Sequence, residues 1–313
     1  MKDKILLSFV IPCYRSEKTI ELVVNEIISV VGEREEYDYE IIAVNDSSPD
    51  GVYTVLCGLA ESNNKIKVVN LTKNMGKSSA MLAGYAFAKG DYIVNLDDDY
   101  QCPVNELWRL LSPLEEEDYD CSTANYKEKK ESLFKRIGSD INLKMSEIML
   151  EKPKGCRFEN FSIMKRYVCE EIIQYKNPYP YIEGLVFRIT NKVAYVPMEE
   201  RNRADDKASG FVFSKSLSLF INGFTAFSVK PLRVATFIGL LFSMVGVLWG
   251  IYIVIRKLIH PEILMGYSSL SSILLVSTGM IMFMLGIVGE YIGRIYICIN
   301  DSPQYVIRNT INI

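Results

Sequence analysis

The stretch "GDYIVNLDDDYQCP" (90–103) decides the fold. It is a short apolar run that stops on three adjacent carboxylates, Asp97, Asp98 and Asp99. Residues 91–96 read as a strand too apolar to expose either face, the mark of a strand inside a parallel sheet. Three earlier runs repeat the pattern: "ILLSFVIP" (5–12), "YEIIAV" (39–44) and "KIKVVNL" (65–71). Between them the period changes to that of a helix. Over 17–31 the apolar positions Ile20, Val23, Val24, Ile27, Ile28 and Val31 share one face, and Ser16 is placed to cap it. Shorter helices fit 51–62 and 77–89, the last stopped by Gly90. This β-α-β-α-β-α-β order predicts an α/β, mostly parallel sheet covered by helices. Ligands of such sheets sit beyond the carboxyl ends of the strands, where Asp46 and Asp97–Asp99 both fall.

Beyond residue 103 the pattern loosens. Helices fit 103–117, 131–150 and 165–175, a loop fits 175–184, a strand fits 191–197 and a charged loop fits 199–207. The net charge of −3 and the absence of a basic stripe exclude a nucleic-acid binder. The seven cysteines are scattered without a Cys-x-x-Cys pair, the pattern of reduced thiols. The single histidine, His260, leaves no His-based metal site or Ser-His-Asp triad. The N-terminal residues lack the apolar core of a signal peptide.

The last quarter is different. Val234–Ile255 carries no charge and as a helix spans about 33 Å, close to the ~30 Å of a bilayer's hydrocarbon core. Arg256, Lys257, His260 and Pro261 interrupt it, and Ile263–Gly289 is again uncharged. Neither run has a polar face, which opposes two helices of a soluble core. Together they predict a membrane hairpin. Residues 211–229, rich in Phe, fit an amphipathic helix lying in the membrane interface. The expected division is 1–210 catalytic, 211–231 juxtamembrane, 232–290 two transmembrane helices and 291–313 a cytoplasmic tail.

Crowded carboxylates need a counter-charge. Hard divalent cations, Mg²⁺ or Mn²⁺, supply it and share their sites with phosphates. At a strand end, Asp97-x-Asp99 would put alternate side chains on one side, one toward the metal and the other toward a ribose.

Here the chain resembles a known group. "IPCYRSE" (11–17), "VNDSSPDG" (44–51), the whole of 74–103, "SVKPLR" (228–233) and "GEYIGRIY" (289–296) look like the family 2 glycosyltransferases. The membrane-anchored polyprenyl-phosphate sugar transferases, which include dolichol-phosphate mannose synthases, are the nearest group. The resemblance implies a GT-A fold, a nucleotide-sugar donor, a lipid acceptor such as polyprenyl phosphate, a divalent metal and inversion at the anomeric carbon. It places Pro12, Tyr14, Glu17, Asp46, Lys77 and Asp97 around the nucleotide. It makes Asp97 and Asp99 the metal pair, with Gln101 beside them and Asp98 turned the other way. Two departures stand out. Asn45 replaces an aspartate, and Asn160, next to Glu159, falls where many relatives carry the aspartate often called the base. Arg201, Arg203 and Lys207, in a loop longer than the family's, are the candidates to grip phosphate.

A lipid phosphate is already anionic and needs little general-base help. A sugar or glycerolipid hydroxyl would need a carboxylate, for which Glu159 is the fallback. Transfer to such a hydroxyl is one rival reading, and a membrane-anchored nucleotide-sugar-binding protein without catalysis is another. Nucleotide-sugars and reduced thiols place the catalytic domain on the cytoplasmic side of the plasma membrane. Positive charges at the two ends of the hairpin nearly balance and give no orientation. The sequence leaves a homo-oligomer open.

Overall fold

A computed structural model describes residues 4–126, 158–178, 180–201, 230–259, 267–300 and 303–313. The helix expected over 131–150, the amphipathic segment 211–229, His260, Arg203 and Lys207 lie outside the described residues. The chain divides into two units. One holds residues 1–218 together with 302–313, and the other holds 219–301.

The first unit is built on an eight-stranded sheet. Strands β1 (Ile5–Cys13), β2 (Tyr37–Asn45), β3 (Ile66–Leu71) and β4 (Tyr92–Asn95) are parallel, in the order β4-β1-β2-β3. Helices α1 (Ile20–Gly32), α2 (Val52–Ser62) and α3 (Lys77–Tyr85) connect them. Both faces are covered, so Phe9, Val10, Ile11, Ile41, Ile42 and Val44 are fully buried. Helix α3 lies very close to the sheet at Gly84, where a Cβ would stand 2.5 Å from Val10 Cγ1. A side chain there would push α3, and the loop before it, off the sheet.

The sheet is wider than expected. A 3-10 turn (Val104–Glu106) leads into α4 (Leu107–Glu116), and β5 (Cys121–Tyr126) follows. Next come β6 (Ser162–Lys165), α5 (Arg166–Ile173), α6 (Ile182–Ile189) and β7 (Val193–Met198). Strand β6 is antiparallel to both β4 and β5, and β7 runs parallel to β5. The last strand, β8 (Ile307–Ile311), pairs antiparallel with β3 at the opposite edge. Part of the stretch expected to be loop therefore forms α6, and the tail ends in a strand of the catalytic sheet. Ser16 does not cap α1 through its side chain. Its carbonyl instead accepts the N–H groups of Thr19 and Ile20, both at 3.0 Å.

A buried polar knot ties β1, β2 and β3 together. Glu40 accepts Ser8 Oγ–H at 2.5 Å, Lys67 Nζ at 2.5 Å and the Lys89 N–H at 2.6 Å. Burial alone would raise the pKa of Glu40, but these three partners hold it below the ordinary glutamate range.

The second unit contains α7 (Lys230–Ile259) and α8 (Tyr267–Ile299). Arg256 and Lys257 lie within α7, and α8 runs through "GEYIGRIY". Ala235–Tyr252 and Val276–Ile299 have mean hydropathies of 1.8 and 1.5 and are long enough to cross a membrane. Their windows are 6% and 0% buried, which separates them from core helices of a soluble fold.

Candidate active site

Three turns meet at the carboxyl ends of β1, β2 and β4. The first two are locked to each other. Arg15, in the left-handed region at φ 61°, donates its N–H to Ser48 Oγ at 2.8 Å. The Glu17 N–H donates to Asp50 at 3.0 Å, and the Glu17 carboxylate accepts the Gly51 N–H at 3.1 Å. Glu17, expected to line the nucleotide pocket, caps the first turn of α2 through this contact. Ser47, also left-handed at φ 50°, gives the β2 turn the bend that this lock requires.

Asp46 is 3% exposed and accepts two backbone N–H groups, from Met75 at 2.7 Å and Gly76 at 2.9 Å. Burial raises its pKa and these two donors lower it, with a net rise. The contacts pull the loop before α3 over the sheet, and Gly76 makes the entry turn at φ 85°. Lys77, the first residue of α3, then reaches Asp97.

The three carboxylates have three different environments. Asp97 pairs with Lys77 Nζ and accepts Asn160 Nδ2–H at 2.6 Å. Asp98 is tucked beneath the β1 turn and accepts the Tyr14 N–H at 2.8 Å. Burial first, then the charges of Asp97 and Asp99, push its pKa up to about 6. Asp99 accepts the Gln101 N–H at 3.2 Å. Strand β4 stops at Asn95, so residues 97–99 lie beyond it and strand alternation does not govern them. Asp97 and Asp98 line a cavity of about 280 Å³. Pro12, Tyr14, Asp46 and Lys77 line the same cavity. Lys77 thus meets part of the crowded charge through Asp97. Cys102 is buried next to the cluster and pushed up to about 12, so its thiol stays protonated at neutral pH.

Asn160 donates to Asp97 at 2.6 Å, a bond that an ionised carboxylate at this position could not make. Glu159 enters through its backbone, whose N–H donates to Thr123 Oγ1 at 2.8 Å. Arg201 sits on the other side of the cluster. Its guanidinium forms a fork with Glu26, both bonds at 2.8 Å, and reaches Asn105. Its backbone exchanges hydrogen bonds with Gln101. Gln101 thereby ties the end of the carboxylate bend to the start of the 200s loop. Three contacts had no sequence signal: Asp98 with Tyr14, Arg201 with Glu26, and Thr19 Oγ1 with the Asp98 carbonyl at 2.6 Å. All join residues remote in the chain.

Comparison with known proteins agrees with this architecture. The model of Glycosyl transferase family 2 matches residues 8–173, and that of the GtrB C-terminal hairpin matches 230–295. An uncharacterized glycosyltransferase of Bacillus subtilis, YkcC, is 30% identical over 100% of this chain and 96% of its own length. The SfII prophage-derived bactoprenol glucosyl transferase of Shigella flexneri is 29% identical over 97% of this chain and 98% of its own. Among solved structures, glucosyl-3-phosphoglycerate synthase from Mycobacterium tuberculosis, in complex with Mn²⁺ and UDP-glucose, superposes with a TM-score of 0.52. That match has 17% identity and covers 71% of this chain and 77% of that one, a likeness of fold. The parallel sheet with acidic turns at its carboxyl edge is the GT-A fold, and with these matches the chain belongs to glycosyl transferase family 2.

Proposed function

We propose that this glycosyltransferase moves a sugar from a nucleotide-sugar donor to a polyprenyl phosphate, with inversion at the anomeric carbon. One observation carries the reading: a cavity with Asp46, Lys77 and Asp97 in its lining belongs to a chain that also holds two long, exposed, apolar helices. Relatives named bactoprenol glucosyl transferase match it nearly end to end, which supports a lipid acceptor.

Asp46 and the two turns locked beside it hold the base and ribose. Lys77 turns from Asp97 toward the donor diphosphate. Asp99 and Asp97 fit a hard divalent cation, Mg²⁺ or Mn²⁺, with Gln101 next to them. Among the described residues no three acidic, His or Cys side chains form a ready-made cage, so phosphate and water would complete the shell. The bound ion supplies positive charge that stabilises the departing diphosphate. Asn160 keeps Asp97 turned into the cavity. The lipid phosphate oxygen attacks the anomeric carbon as the carbon–oxygen bond to the diphosphate breaks. The nucleophile brings its own negative charge, so an amide at position 160 is sufficient. Arg201 steadies the cation-side bend through Gln101, and Arg203 and Lys207 are left to meet phosphate.

Membranes containing the full chain, given UDP-glucose as the first of several nucleotide-sugars together with undecaprenyl phosphate, are expected to form a glycosyl-phospho-lipid labile to mild acid. Sugar appearing only on hydroxyl-bearing lipids would favour the rival acceptor and a base role for Glu159. Binding of donor with no transfer across the donor panel would favour the non-catalytic reading.

We further propose that the two apolar helices cross the plasma membrane as a hairpin and that the catalytic unit is cytoplasmic; their length and hydropathy support this reading. Strand β8 supports this, because the chain after α8 rejoins the sheet that precedes α7. In intact cells a membrane-impermeant maleimide is expected to label a His260→Cys variant and to spare an Ile313→Cys variant. The reverse pattern would overturn the topology.

A further inference from the structure

The tail beyond the hairpin does more than close the sheet. Its Asn309 stands opposite Asn70 of β3, which stands opposite Asn45 of β2. The three amides form a row across three strands. The Ser48 N–H donates to Asn45 Oδ1 at 3.1 Å, and Asn45 Nδ2 donates to Asn70 Oδ1 at 2.9 Å. Asn70 Nδ2 donates to Asn309 Oδ1 at 2.8 Å, and Asn309 Nδ2 donates to Tyr53 Oη at 2.6 Å. The polarity of the row is set at one end. A backbone N–H can only donate, so Asn45 must present its oxygen to Ser48 and its nitrogen to Asn70, and each later amide follows.

Both ends of the row land on one segment. Ser48 lies in the turn after β2, and Tyr53 is the second residue of α2, the helix that follows it. The row is therefore a closed clamp around 45–53, the turn that carries Asp46. Asn45 and Asn70 are 4% and 7% exposed, so their amides have little water to turn to if the row is broken.

We propose that Asn309 is a positioning residue for the nucleotide-sugar. Through Asn70 and Asn45 on one side and Tyr53 on the other, it holds the Asp46 turn in its donor-binding shape. This rests on the reading of Asp46 as a donor contact. It also explains the amide at position 45, which links the backbone of Ser48 to the amide row without adding charge.

The test uses the full-length enzyme in membranes or detergent, with UDP-glucose as donor probe and undecaprenyl phosphate as acceptor. Asn309→Leu keeps the size and removes both bonds. Asn309→Asp keeps the acceptor for Asn70, and the Tyr53 hydroxyl can rotate to donate to it. The leucine variant is expected to raise donor KM about fivefold, the effect of one neutral hydrogen bond, with kcat and acceptor KM unchanged. Amide exchange over 45–53 is expected to quicken by about the same factor. The aspartate variant should stay within about twofold of wild type in both readouts. Unchanged exchange in the leucine variant, or a fall in kcat alongside rises in both KM values, would overturn the clamp. Asp46→Ala is the control for the underlying reading. If it leaves donor KM unchanged, the donor assignment of the turn falls, whatever Asn309 does.

Discussion

Asp99→Asn is expected to lower transfer by about 10³-fold while leaving the melting temperature within a degree or so of wild type. The two halves of this expectation have separate causes. An amide oxygen can still accept the Gln101 N–H, so the local turn survives. It cannot supply the negative charge that binds a hard cation. Asp97 is less able to do so alone, because Lys77 and Asn160 already engage it. Calorimetry with Mn²⁺ and UDP should show loss of metal-dependent nucleotide binding in the variant. Near wild-type turnover at saturating donor and metal would sink the metal role of Asp99.

Glu40→Ala is expected to destabilise the catalytic unit by about 3–5 kcal/mol, because it strands Lys67 in a buried site and removes an acceptor from Ser8 and the Lys89 N–H. The loss should depend on pH. The folded pKa of Glu40 is depressed, so its contribution is complete above the ordinary glutamate pKa and disappears as the pH falls through the lower folded value. Denaturant midpoints of wild type and variant should therefore draw closer in acid, by the part of the loss that ionisation of Glu40 carries. Replacing both partners, Glu40→Leu with Lys67→Leu, should recover most of the loss. A double variant no better than the single one would show that the stranded charge is not the cause.

The parallel half of the sheet was legible because burial on both faces leaves a nearly unbroken apolar run, as in Phe9–Ile11 and Ile41–Val44. The other strands hide for physical reasons. Strand β5, "CSTANY", buries Ser122 and Thr123 completely and satisfies Ser122 through the Leu110 carbonyl. It therefore reads as polar. Strand β6 has only four residues, and β8 carries Arg308, Asn309 and Thr310 on an exposed edge. The acidic turns could be found from their place at strand ends. How the carboxylates divide their roles could not, because β4 ends before them and the pleat that would have sorted their directions is gone. The contacts of Glu17 with Gly51 and of Arg201 with Glu26 were not legible either, because these partners lie far along the chain.

The place of β8 sets an order of events during synthesis. Strand β3 waits with a bare edge while both apolar helices are made, because its partner β8 follows them in the chain. On the proposed topology, the hairpin is therefore made, and can insert, before the sheet is complete. A hairpin that crossed the membrane only once would strand Ile307–Ile311 on the wrong side. Strand β3 would then keep its unpaired edge, an invitation to aggregation and proteolysis. On the proposed two-span topology, closure of the sheet by β8 would require the hairpin to be threaded correctly.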